Sequence, residues 1–194
     1  MHGLINRSIQ SFLCDTYGSA AWSSIMAAAD LGFENFETLS RYDHRETDAV
    51  LDAASGYLST SRGMLLEDLG IYLVSHPNMQ SLRRLLRFGG DSFVEFLLSL
   101  DELHDRAKLA VSDLILPVLD LRDHSSSDFT LTVTHPQPGF GHVMVGVLRA
   151  MADDYGALAL LEFQGRKDGV ETIIIELLES SFAEGREFAL AVQA

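Results

Sequence analysis

Seven histidines and one cysteine are the side chains here best suited to hold a metal or move a proton. His104 stands apart from the other six. Phe93, Phe96, Leu97, Leu100, Leu103 and Ala107 recur at three-and-four spacing, which predicts one amphipathic helix over residues 91–117 with its stripe toward a core. His104 follows Leu100 by four residues and Leu97 by seven, so its imidazole leaves the helix on the apolar side. An imidazole facing an apolar interior needs a partner. A backbone carbonyl or hydroxyl would satisfy it, and so would a metal, most simply a haem iron held by one proximal histidine. Spacing leaves both open.

Other chemistries find less support. His135 and His142 are seven apart across a turn and no histidine lies three to five from another, so a structural zinc site would need remote parts. Cys14 sits among Ile9, Phe12 and Leu13, the setting of a packed thiol. The sequence lacks a Gly-x-Gly-x-x-Gly fingerprint, a phosphate loop, a Gly-x-Ser-x-Gly elbow and a Cys-x-x-Cys pair. Glu67-Asp68 and Asp153-Asp154 are sequence neighbours that diverge around a helix, which argues against a carboxylate dyad. The expectation is a domain that is not an enzyme.

The 194 residues suffice for one domain, or two subdomains sharing a core, without disulfide staples. A formal charge of −14, from 28 acidic and 14 basic residues, repels nucleic-acid phosphates and anionic lipid. The local basic cluster, Arg83, Arg84 and Arg87, reads as solvated or paired with acids. The start, MHGLINRSIQ, lacks the basic-then-apolar pattern of a secretory signal, and no apolar run reaches membrane-spanning length. A cytoplasmic protein binding neither nucleic acid nor membrane is expected.

These side chains must be positioned by helices first and strands later. Helical spacing covers residues 3–14, 19–29, 44–58, 64–75 and a short stretch through Leu82, Leu85 and Leu86, with Phe33, Phe36 and Leu39 anchoring a connector. Asp91 or Ser92 caps the helix of His104. After Pro117 the period becomes two: residues 118–121 and 129–133 form one hairpin, residues 157–164 and 170–178 another around 165–169, and a helix over 142–155 lies between. This segregation predicts an α+β fold: helices, then an antiparallel sheet of about four strands crossed by one helix, with a cavity between the halves.

The chain also resembles a known family. The opening MxGLIN, Gly70-x-Tyr72 in a helix and the Leu-x-x-Leu-His of Leu100 to His104 occur in the order and spacing of the H-NOX domains, the haem nitric-oxide and oxygen binding domains of bacteria and soluble guanylate cyclases. The resemblance runs nearly end to end and is that of a divergent bacterial member. It implies one H-NOX-like domain, with a distal helical subdomain over 1–60, a proximal subdomain over 61–194 and a haem pocket between them. It implies haem b with His104 as proximal ligand, Pro117 pressing on the porphyrin, and Ile5, Leu100 and His142 beside it. The implied activity is sensing of nitric oxide or another diatomic gas, signalled to a histidine kinase or cyclic-dinucleotide enzyme. Two positions depart from the family. Its Tyr-x-Ser-x-Arg grip on the haem propionates is replaced by Val133, His135 and Gln137, so a neutral amide stands where a guanidinium is expected. His142 stands where oxygen-binding relatives carry a tyrosine, where it would hydrogen-bond a ligand, bind iron itself or cap its helix. Loss of the grip keeps a second reading open: a haem-free relative serving as an interaction or apolar-ligand module.

Overall fold

The computed structural model describes residues 1–111 and 113–186, and its contacts divide the chain into two compact units, Met1–Leu69 and Gly70–Ala194. Ser112, within the predicted helix of His104, and residues 187–194, at the end of the predicted proximal subdomain, lie outside the described residues. No helix of the described residues is long and apolar enough to cross a membrane.

The first unit is helical. Helices α1 (Gly3–Tyr17), α2 (Ser19–Ala29) and α3 (His44–Leu58) form it together with the start of α4 (Arg62–Ser75). Their apolar stripes meet in Ile9, Phe12, Leu13, Trp22, Ile25, Val50, Leu51, Ala54 and Leu65. A reciprocal capping box of Asp43 and Glu46 starts α3. In the connector, Phe33, Phe36 and Tyr42 make edge and tilted ring contacts, and Trp22 Nε1 donates to the Glu34 carbonyl at 3.0 Å. Leu39 does not anchor this segment: it is 90% exposed, because the backbone turn at 38–39 directs it outward.

The second unit contains the last turns of α4, a 3-10 turn (Pro77–Met79), α5 (Gln80–Arg87), α6 (Phe93–Leu98), a second 3-10 turn (Leu100–Glu102), α7 (Leu103–Ala110), β1 (Val118–Asp123), β2 (Asp128–Thr134), α8 (Phe140–Tyr155), β3 (Leu158–Lys167) and β4 (Val170–Glu179). The strands form one antiparallel sheet in the order β1-β2-β4-β3. The fold is α+β, as expected, with α8 laid on the sheet's inner face. Phe129, Leu131 and Val133 alternate inward with Ile173 and Ile175, and α8 covers them with Met144, Val145, Leu148 and Met151. The strands outrun their sequence bounds. The second hairpin turns on only Asp168 and Gly169, both with positive φ, so residues 165–167 belong to β3 rather than to a loop.

The larger difference is in the stripe of His104. The sequence reads as one helix over 91–117, but the chain forms two short helices separated by a 3-10 turn and leaves the helix after Ala110. Arg106 explains how the break is held: its Nη2 donates to the Ser99 carbonyl at 2.9 Å, and Asp101 Oδ1 accepts the Leu121 N–H of β1 at 3.0 Å. The basic cluster is partly internal. Arg83 makes a forked pair with Asp154, which is 1% exposed, through Nη2 at 2.7 Å and Nε at 3.0 Å, while Arg87 lies 3.9 Å above the Tyr155 ring.

Within this unit α4 reaches α8 at Gly70. A Cβ there would stand 2.1 Å from the Val143 carbonyl oxygen and 2.9 Å from Gly146 Cα. Gly56, in α3, has nothing within 4 Å of the same position. Alanine at these two sites should act with opposite sign. Gly70→Ala is expected to destabilise by about 1–3 kcal/mol through overpacking, and Gly56→Ala to stabilise by about 0.5–1 kcal/mol through helix propensity. Denaturant midpoints of the two variants check this.

Candidate functional site

His104 lies in the first turn of α7, half-buried between the buried Leu100 and Ala107 of the same stripe. Its Nδ1 is buried and has no hydrogen-bond partner among the described residues. A buried polar atom left unpaired costs about 1–3 kcal/mol. Among the described residues no carbonyl or hydroxyl meets this nitrogen. No group of three or more His, Cys, Asp or Glu side chains able to hold a metal ion occurs among the described residues.

Pro117 is buried and immediately precedes β1. Leu100 and Val133 are both fully buried members of one apolar cluster, which Phe140 and Val143 of α8 flank. Val133 is there because it continues the inward row of β2. His135 follows in the same phase, and only 8% of its surface is exposed. Its Nδ1 accepts the Gln137 N–H at 3.1 Å, its ring also bonds the backbone of Ile115, and Phe140 packs 4.3 Å from its centre. The structure therefore pairs Val133 with Leu119 of β1 and joins His135, with Gln137 bonded to it, to Ile115 in the segment that leads into Pro117. Ile5, half-buried on α1, belongs to the first unit.

His142 occupies the third position of α8, half-buried, its ring 4.1 Å from that of Phe163 on β3. The N terminus of α8 is held by a residue that the motif reading missed. Glu171, 3% exposed on β4, accepts the Gly139 N–H at 2.8 Å through Oε1 and the Gly141 N–H at 3.0 Å through Oε2. The first helical N–H groups lack intrahelical partners and favour a negative charge, which is how a carboxylate is accommodated inside. Arg166, also missed, donates from Nη2 to the carbonyls of His135 and Pro136 at 3.0 and 3.1 Å. Glu171 did leave a signal: it falls in phase with Ile173 and Ile175.

The electrostatics of His135 follow from its seat. Burial pushes its imidazole below the usual 6.5, against smaller raising effects of its bonds to Gln137 and Ile115, so it is neutral at physiological pH. An unfolded chain binds that proton more readily, so this group contributes stability above pH 6.5 and loses it as the pH falls toward the folded value. Denaturant midpoints should drop between about pH 7.5 and about pH 5.5, and His135→Gln should flatten that dependence.

Comparison with known proteins closes the description. The sequence profile HNOB, described as Haem-NO-binding, matches residues 2–159. Among relatives, soluble guanylate cyclase gcy-34 of Caenorhabditis elegans is 26% identical over 157 residues, covering 78% of this chain and 23% of its own. Soluble guanylate cyclase gcy-31 of the same animal is 21% identical over 154 residues, covering 79% and 22%. The chain thus spans under a quarter of the length of these cyclases. The fold superposes on the Fe(II) unliganded H-NOX protein from K. algicida with a TM-score of 0.80 at 18% identity, covering 95% of this chain and 100% of that one. It superposes on an I5F mutant of T. Tengcongensis H-NOX at 0.75 and 16%, covering 93% and 99%. With the profile matched over most of its length and the fold shared end to end, the chain belongs to the haem-NO-binding, or H-NOX, family.

Proposed function

We propose that this domain is a haem-based sensor of nitric oxide or another diatomic gas, regulatory rather than catalytic, with His104 as axial ligand to haem b. The observation that carries the reading is the buried His104 Nδ1, which has no partner among the described residues. The residues fit the group on this side: an imidazole on an apolar stripe, the buried Leu100 beneath it and the buried Pro117 further along the chain. When bound, haem supplies the metal at which a diatomic gas can bind. Everything else is done by the chain. Leu100, His135 and Pro117 would contact the porphyrin, and His142 would either donate to the bound gas or bind the iron itself.

The mechanical part of the reading rests on α7. It is only eight residues long and separated from α6 by a 3-10 turn, which is itself tied to β1 through Asp101. An isolated helix of that length is not stable by itself. Its position therefore depends on its contacts, one of which is whatever His104 binds. Releasing or tightening that one contact biases a two-state element, and β1 receives the displacement. A histidine kinase or a cyclic-dinucleotide enzyme in the cytoplasm is the proposed recipient.

One observation favours the second reading, a haem-free interaction module. His135 is neutral and locked to backbone, and Gln137 carries no charge, so residues 133–137 offer no cation to a propionate. Spectroscopy separates the two readings. Protein reconstituted with haem and reduced should show a Soret band that shifts with nitric oxide; the absence of any Soret band establishes the haem-free module instead. His104→Ala should abolish the band, and His104→Gly should regain it with added imidazole. An unchanged spectrum in His104→Ala removes that residue from the axial role. Gln137→Arg should slow haem dissociation roughly tenfold by adding one charge-assisted bond.

A further inference from the structure

Arg166 reaches its place through an irregularity in the sheet. β3 and β4 pair Phe163 with Ile173, but beyond a register shift Gly165 pairs with Thr172 and Arg166 with Glu171. Residues directly opposite each other in an antiparallel pair project from the same face. Strict alternation from the inward Phe163 would send position 166 outward. The extra residue, accommodated by Gly165 at φ 94, turns Arg166 to the face of Glu171, Ile173 and Ile175. The shift therefore delivers a guanidinium to the end of the sheet where β2 runs into α8.

There the side chain is fixed but not consumed. Nη2 is spent on the carbonyls of His135 and Pro136, while Nε and Nη1 make no hydrogen bond among the described residues. Glu171 does not neutralise it: both carboxylate oxygens are taken by the N–H groups of Gly139 and Gly141, and no ion pair joins the two side chains among the described residues. Arg166 remains exposed. It is thus an anchored, unpaired guanidinium fork resting on residues 135–136, within the segment whose own side chains are Val133, neutral His135 and Gln137.

We infer that Arg166 binds a carboxylate of the tetrapyrrole, a cation supplied from β3 in place of the one that residues 133–137 lack. This rests on the haem reading above. Guanidinium and carboxylate match as a two-pronged pair, and anchoring by two carbonyls removes much of the side-chain freedom that such a bond would otherwise cost. Exposure limits its strength, since water screens the pair.

The test compares ferric haem with its dimethyl ester, which keeps the macrocycle and iron but carries no ionised carboxylate. Dissociation of each is followed by transfer to excess apomyoglobin from the intact domain, from Arg166→Gln and from Arg166→Lys. In the unaltered protein the diester should leave about five- to tenfold faster than the diacid. Arg166→Gln should accelerate loss of the diacid by a similar factor and leave the diester unchanged, with Arg166→Lys between. If Arg166 only steadies the 135–136 backbone, both porphyrins will leave faster by the same factor. That outcome, or no change in either, overturns the carboxylate contact while leaving the haem reading intact. Failure of either porphyrin to give a Soret band with the unaltered protein overturns both.

Discussion

The carboxylate of Glu171 organises the inner side of the sheet in the second unit. Glu171 sits among isoleucines on β4, a position where a charge is tolerated only if its oxygens are bonded and its field is compensated. Both conditions are met by the start of α8, whose N–H groups at Gly139 and Gly141 would themselves be orphaned without it. Neither partner is stable there alone. The pairing fixes where α8 enters the sheet, hence the ring of His142 against Phe163, the turn that contains Gln137, and the packing of Phe140 on His135. Replacing the carboxylate by an apolar group would leave two backbone donors unpaired in the core, a far larger penalty than the mean worth of a hydrogen bond.

The same side chains show what the sequence could and could not convey. Periodicity located every helix of the first unit and the order of helix, hairpin, helix, hairpin after residue 75, because each element there keeps one apolar face at a regular spacing. The break in the stripe of His104 was not legible. Its apolar positions suit one long helix, and the interruption is held by side-chain contacts that periodicity does not register: Asp101 with the backbone of β1, and Arg106 back to the carbonyl of Ser99. Residues 165–167 misled for the opposite reason. Their Gly, Arg and Lys composition reads as a loop, yet Asp168-Gly169 alone suffices for a tight turn and the cross-strand ladder continues through them.

The candidate site divides along the same line. His104 was visible because a histidine on an apolar stripe is conspicuous in one dimension, and its unpaired nitrogen is what that pattern leads one to look for. Arg166 was invisible because its orientation is set by a bulge, and an inserted residue inverts the facing of every side chain after it without any mark in composition. A reading confined to motif positions counts Val133, His135 and Gln137 and finds no cation. Counting by sheet register finds one.

The division of α7 from α6 bears on how such a site would signal. A continuous helix over the whole stripe would hold His104 rigidly, since its ends would be secured by packing far from the imidazole. Two short helices with a 3-10 turn between them localise the motion instead. The turn has the weaker hydrogen-bond geometry and is held by Leu100 in the core and Asp101 on β1, while α7 itself places Ala107 in the core and Arg106 on Ser99. With so few restraints, a bond made at His104 would be a large fraction of what holds the helix in place, and its loss would move the equilibrium by the difference in that bond between the two states. Because Asp101 donates no hydrogen but accepts one from the backbone of Leu121, the displacement is passed to a strand rather than to a flexible side chain, and a strand in a paired sheet moves only with its neighbours.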